Sequence, residues 1–246
     1  MKALVEPDRL KKLFGSSLLY KGGKALIDEV PILCGKNGIL IKVLGLGSTV
    51  AVYGAYNKSY FIEYESPDNE KFVVTKSILD ALKNAFKKEE KVWFEVGKNS
   101  ITIRGEDETY TENLLTESEE SEFPIKMVKN DEYGIIPEKF DPKVLCVTKA
   151  DILDSLPSSD VYTFVSDGKR LSVEIVDVGR YVRRIPTEKA EKMEEIRISL
   201  DGDVLGRMIE YLDGDVRLGL TEGYVLLSKV SKDYYLTYLL AVREEE

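Results

Sequence analysis

Thr75–Leu82 reads TKSILDAL, and Thr148–Leu156 reads TKADILDSL, the same phrase one residue longer. In the first, Ile78, Leu79, Leu82 and, one turn on, Phe86 fall on one stripe of a helix, with Lys76, Asp80, Lys83, Asn84 and Lys87 mostly opposite. Each phrase is followed by a strand, a polar turn and a second strand. After the first come Val92–Val96 (VWFEV), Gly97-Lys98-Asn99 and Ser100–Arg104 (SITIR); after the second come Tyr162–Val165, Ser166-Asp167-Gly168-Lys169 and Arg170–Val176. Two more distant copies complete the set. Pro7–Phe14 (PDRLKKLF) precedes Gly35-Lys36-Asn37-Gly38 and Ile39–Val43, and Asp203–Leu212 (DVLGRMIEYL) precedes Val216–Leu220, Thr221-Glu222-Gly223 and Tyr224–Ser228. A helix-plus-hairpin module therefore occurs twice in each half of the chain, and such a repeat fixes the architecture before any single element does.

The module has a physical logic. An amphipathic helix must bury its apolar stripe, and a neighbouring sheet is the natural cover. Alternation in Ile101-Thr102-Ile103 and Ser172-Val173-Glu174-Ile175 leaves one sheet face wet. The Asn-Gly and Asp-Gly turns are strong hairpin signals. The expected fold class is α+β: two similar domains of antiparallel sheet, with four helices gathered on one face. The acidic run Glu117–Glu122 and the apolar residues set between prolines, Phe123-Pro124-Ile125, Met127 and Tyr133-Gly134-Ile135-Ile136-Pro137, read as a connector. The expected division is 1–116, a connector over 117–139, and 140–246.

Composition excludes much chemistry. The 246 residues contain no histidine, which removes Ser-His-Asp and Cys-His nucleophile systems, His-based zinc sites and imidazole general bases. Asp and Glu are spread through surface runs rather than paired. Gly45-Leu46-Gly47-Ser48 lacks the Gly-Lys-Ser/Thr of a phosphate loop and reads as a loop between strands. No catalytic residue, metal site or cofactor is expected, and the chain does not read as an enzyme. Cys34 and Cys146, in apolar surroundings, read as reduced core residues of a protein in a reducing compartment. No apolar run is long enough to span a bilayer, and Met1–Lys11 does not read as a secretion signal.

The order of these elements resembles the DNA sliding clamp family, the proliferating cell nuclear antigen of archaea and eukaryotes or a viral or mobile-element relative. Lys36–Ile39 through Ser48–Val52 is similar to that family's early "dGi.i…S.va.v" segment, Ser77–Ala85 (SILDALKNA) to its second helix, Phe140–Val147 (FDPKVLCV) to the strand opening its second domain, and Tyr238–Arg243 (YLLAVR) to its C-terminal "YLAPR/K" signature, with Val242 at the usual proline. The resemblance implies three subunits closed head-to-tail into a homo- or heterotrimeric ring, helices lining the hole and sheet outside. It implies a processivity factor that binds double-stranded DNA without sequence preference and recruits DNA polymerase, clamp loader, flap nuclease and ligase through short peptides. The location it implies is the nucleoid of an archaeal cytoplasm or a eukaryotic nucleus. Alternatives are a non-ring polymerase accessory protein of the same fold, or a checkpoint-type clamp subunit.

Site residues follow from the same resemblance. Lys11, Lys12 and Lys83 would face DNA, with Lys76, Lys87 and Lys149 as secondary contributors; read from composition alone, these are solvated helix faces. Arg207, set among acidic residues, should matter less. The net charge of −9 argues against phosphate binding only as a sum, because distribution decides. Partner peptides would meet Leu44, Thr49, Val50, Phe123, Ile125, Met127, Leu239, Ala241 and Val242, though Val50 and Leu239 read equally as plain core. The subunit joint would use Glu108, Tyr110, Glu112 and Leu114 of one edge strand and Tyr181, Arg183 and Arg184 of another.

Overall fold

The computed structural model of the chain describes residues 1–115, 125–130, 134–176 and 179–243. The acidic run Glu117–Glu122, Phe123 and Tyr133 lie outside the described residues. The chain forms two compact units, one of Met1–Leu46, Val52–Pro124 and Ser231–Tyr235, the other of Gly47–Ala51, Ile125–Val230 and Leu236–Glu246.

The first unit runs β1 (Lys2–Val5), α1 (Pro7–Leu18), β2 (Glu29–Gly35), β3 (Gly38–Gly45), β4 (Val50–Asn57, from Val52 on), β5 (Glu63–Glu65), β6 (Glu70–Thr75), α2 (Lys76–Asn84), β7 (Val92–Val96), β8 (Ser100–Arg104) and β9 (Thr109–Asn113). One sheet is ordered β5-β1-β7-β8-β9, and the other strands follow the order β4-β3-β2-β6. Beneath them Leu10, Leu13 and Phe14 of α1 and Ile78, Leu79 and Leu82 of α2 are fully buried. Each such side chain contributes on the order of 1.5–3 kcal/mol by leaving water. Phe94 of β7 anchors the packing, 5.3 Å from Phe14 and 5.9 Å from Phe72 between ring centroids.

The second unit runs β10 (Met127–Asn130), β11 (Gly134–Pro137), β12 (Val144–Lys149), α3 (Ala150–Asp154), β13 (Val161–Asp167), β14 (Leu171–Val176), β15 (Arg180–Ile185), β16 (Lys189–Met193), β17 (Glu195–Asp201), α4 (Gly202–Ile209), β18 (Asp215–Leu220), β19 (Tyr224–Val230) and β20 (Tyr234–Ala241, from Leu236 on). Its orders are β15-β14-β13-β17 and β16-β12-β18-β19-β20, with β10-β11 a separate antiparallel pair.

The module is a strand, a helix and a hairpin. It occurs as β1-α1-β2-β3, β6-α2-β7-β8, β12-α3-β13-β14 and β17-α4-β18-β19. Pairing is reciprocal within each unit. The strand leading into one helix lies antiparallel to the first hairpin strand behind the other helix: β1 with β7 and β6 with β2, then β12 with β18 and β17 with β13. The starts of α3 and α4 are tied the same way. Ala150 N–H donates to the Gly214 carbonyl and Gly202 N–H to the Asp160 carbonyl, both at 2.9 Å. Gly202 is required there, because a Cβ would sit 1.8 Å from the Ser159 carbonyl oxygen.

Helix ends depart from the sequence reading in instructive ways. In the second copy Thr75 caps α2, accepting from Ser77 N–H at 3.4 Å. In the third copy Thr148 stays in β12 and donates to the Pro186 carbonyl at 2.9 Å, so α3 has only five residues instead of the nine of the TKADILDSL phrase. Pro157, one residue past Leu156, also denies it further turns. Asp201, two residues before the expected start, caps α4 by accepting from Val204 N–H at 3.1 Å. α1 continues to Leu18, a turn past Phe14, and ends on Leu19 in the left-handed region at φ 47°.

Candidate nucleic-acid interface and partner surface

The lysines on α1 and α2 have two kinds of neighbour. Lys11 Nζ lies 3.0 Å from the Asp8 carboxylate on its own helix. Lys12 Nζ sits 5.1 Å from the centroid of the Tyr234 ring, and Lys83 Nζ 4.2 Å from that of Tyr20. A cation over an aromatic face stays wet on its outer side, and the ring brings no opposing charge. Lys76, Lys83 and Lys87 are exposed. Asp80, the acid among them, accepts a hydrogen bond from the Tyr20 hydroxyl at 2.7 Å. That bond, with burial second, pushes the Tyr20 phenol up to about 12.

The second unit treats its cations differently. Lys149 lies at the mouth of α3, bound to Asp215 and, at 3.1 Å, to Glu188. Asp215 first and Glu188 second hold its ammonium above the ordinary lysine range. Arg207 is buried, with Nε donating to the Asp203 carboxylate at 3.0 Å. Reversing its charge would place a carboxylate in the core, so it is not the neutral surface control that the sequence offered. α3 itself carries Asp151 and Asp154 and no base.

The two expected joint strands are both sheet edges. β9 closes one end of the first unit's five-stranded sheet and β15 one end of the second unit's four-stranded sheet. Around β9, Glu108 is exposed and Tyr110, Glu112 and Leu114 are half-buried. Glu112 is engaged, accepting from Tyr110 at 2.7 Å and from the Ser77 hydroxyl. On β15, Tyr181, Val182 and Arg184 are exposed, and Arg183 donates to the Ser155 carbonyl at 3.0 Å and hydroxyl at 2.9 Å.

The partner residues divide. Within the second unit Ala241 N–H donates to the Thr49 carbonyl at 2.8 Å, which brings the early loop and the tail together, and Val242 N–H donates to the Gly223 carbonyl at 3.0 Å. Thr49 is exposed; Ile125, Met127, Ala241 and Val242 are half-buried. Met127 pairs with Pro137 in the β10-β11 ladder. Val50 and Leu239 are core residues, fully or nearly fully buried. Leu44, in the first unit, is half-buried, and Phe123 lies outside the described residues.

The backbone as a whole is similar to solved structures. It matches the A. fulgidus PCNA bound to the C-terminal region of FEN-1 with a TM-score of 0.76 at 18% identity, over 100% of this chain and 99% of that one. It matches the PCNA2-PCNA3 complex of Sulfolobus tokodaii at 0.74 and 16%, over all of both chains. It also matches the Entamoeba histolytica proliferating cellular nuclear antigen at 0.75 and 12%, over 99% and 98%. This is the DNA sliding-clamp fold. No protein-family model matches the sequence, and no curated protein matches it.

In the clamp fold of this chain, the sequence placed Lys11, Lys12, Lys76 and Lys83 on helices but did not show what surrounds them. Tyr20 lies beside Lys83, Tyr234 beside Lys12, and Glu188 and Asp215 beside Lys149, and all four lie far along the chain from the lysine they meet. Among the described residues no group of three His, Cys, Asp or Glu side chains could hold a metal ion. Both cysteines are buried thiols, pushed up to about 12 by burial first.

Proposed function

We propose that this chain is a subunit of a DNA sliding clamp, a processivity factor that encircles duplex DNA and tethers replication and repair enzymes to it. The observation that carries this reading is the fourfold strand-helix-hairpin repeat, matched over its full length by clamp structures, together with a cationic face on α1 and α2. The task needs no chemistry. Lys12, Lys76, Lys83 and Lys87 would meet phosphate, with Lys11 joining them where phosphate displaces Asp8; phosphate carries no sequence information and so permits sliding. The acidic remainder of the surface discourages DNA from the outside of the ring.

Ring closure would join β9 of one copy to β15 of the next. An unpaired edge is a template for another strand, and a head-to-tail joint of unlike edges closes into a ring when its rotation permits. Glu108 and Glu112 facing Arg183 and Arg184 would fix register more than affinity. Partner segments, flap nuclease among them, would dock by Ile125, Met127, Ala241 and Val242, an apolar surface beside extended backbone.

A second reading, assembly with more basic sister chains, is favoured by Lys149, which two carboxylates already hold. Light scattering separates the readings. The chain alone at three times 27.8 kDa supports a homotrimer. That mass reached only on mixing with sister clamps supports a heterotrimer. A monomer under both conditions overturns the ring.

A further inference from the structure

α2 carries Lys76, Asp80 and Lys83 on one stripe, spaced by four and three residues. Acids and bases at such spacings are neighbours on a helix surface and normally pair. They do so elsewhere at this protein's helices: Glu6 with Arg9 at 3.5 Å, Asp8 with Lys11 at 3.0 Å and Asp203 with Arg207 at 3.0 Å. Among the described residues Asp80 pairs with neither of its lysines. Its carboxylate accepts from the Tyr20 hydroxyl, and Lys83 lies over the face of the same ring. Asp8–Lys11 has the same three-residue spacing without such a tyrosine, and it is closed.

The placement of Tyr20 is itself constrained. It follows Leu19, a fully buried non-glycine residue at φ 47°, a conformation that L side chains seldom adopt. Tyr20 N–H returns to the Gly15 carbonyl at 3.1 Å, and Leu18's carbonyl accepts from Leu26 and Ile27 at 3.1 and 3.2 Å. The helix is thus stopped abruptly, and the next side chain is delivered to α2. A strained turn that persists is over-determined by its surroundings, and its product here is one aromatic hydroxyl on one carboxylate.

We propose that Tyr20 is a positioning residue that separates Asp80 from Lys83 and Lys76, holding both ammonium groups available for phosphate on a stripe that would otherwise neutralise itself. The ring does the same for Lys83 from the other side, fixing the stem without an opposing charge. This rests on the DNA-binding reading for its purpose, but the separation can be tested apart from it.

Two measurements on the full chain do so. In the first, reductive methylation of lysines is followed by peptide mass, with Lys87 as internal reference. Tyr20→Phe should slow Lys83 relative to Lys87 several-fold, because the released carboxylate takes the amine, and Asp80→Asn added to it should restore the native ratio. An unchanged ratio in Tyr20→Phe, or no rescue by Asp80→Asn, overturns the device whether or not the protein binds DNA. The second measures binding to a short mixed-sequence duplex against salt. Tyr20→Phe should reduce the slope of log affinity on log salt by about 0.9 for each lysine withdrawn, and the double variant should behave like Asp80→Asn alone. Methylation changes without any change in slope would leave the separation intact and reject its purpose. Tyr20→Leu serves as a control, since it also removes the platform and should not be fully rescued by Asp80→Asn.

Discussion

The two units share one architecture and carry opposite charge on corresponding elements. The helices of the first hold Arg9, Lys11, Lys12, Lys76 and Lys83 against Asp8 and Asp80, and its outer edge is flanked by Glu108 and Glu112. The helices of the second hold Asp151, Asp154 and Asp203 with a buried Arg207, and its outer edge carries Arg180, Arg183 and Arg184. The fold constrains neither set. It needs the apolar stripes of Ile78, Leu79 and Leu82 or of Val204, Leu205 and Met208. It also needs strands that pair reciprocally. Surface charge is then free to diverge, and here it has diverged into basic helices on one unit and a basic edge on the other.

That inversion can be attacked at its strongest point. Arg183→Glu with Arg184→Glu turns the basic edge acidic, so two like edges would face each other. Molar mass at micromolar concentration should fall from the assembled value to that of a single chain. Retention of the native mass would show that the edges are not the joint. The next largest effect lies on the helices. Lys11→Glu, Lys12→Glu and Lys83→Glu together should cut the salt slope of duplex binding by roughly 0.9 per lysine or more, while the mass stays native. A slope equal to wild type would remove the first unit from the DNA track.

Smaller effects are expected at the partner surface and at Lys149. Met127→Ala should weaken binding of a clamp-interacting peptide by about 1–3 kcal/mol in calorimetry. Leu239→Ala is not an equivalent test, since deleting a buried leucine costs about 2–5 kcal/mol of stability. The smallest change is expected at Lys149. Glu188→Gln with Asp215→Asn should free it and raise the salt slope by about 0.9, bringing the second unit toward the first. Acid does not achieve this in the ordinary range. Lys149 holds the Asp215 carboxyl below the usual carboxylate values. The pair's contribution is therefore complete above about pH 4 and is lost only as pH falls through the lowered value. The slope should match at pH 7 and pH 5.

Much of this organisation is legible in the sequence, for a definite reason. The 3.6-residue period of Ile78, Leu79, Leu82 and Phe86 and the two-residue period of SITIR are local signals, and repetition multiplies them. The two edge strands, β9 and β15, were reached through the family resemblance, and both close their sheets. The length of α3 was not: Thr148 has the same neighbours as Thr75, yet its hydroxyl goes to the Pro186 carbonyl, a partner 38 residues away. The states of Lys83 and Lys149 were hidden for the same reason. Tyr20 meets Asp80 across 60 residues, and Asp215 meets Lys149 across 66. Val50 and Leu239, which read equally as pocket or core, fall to the core through their places in β4 and β20.

Encirclement is a topological property and is tested by changing the topology of the DNA. Protein loaded onto a nicked circular plasmid, alone or with sister clamps and a clamp loader, is freed of unbound chain. The DNA is then cut once at a distant site. An encircling clamp should remain on the circle through moderate salt and leave rapidly after the single cut. Retention that is equal on the circle and on the cut DNA would contradict encirclement and leave a protein that holds DNA from one side.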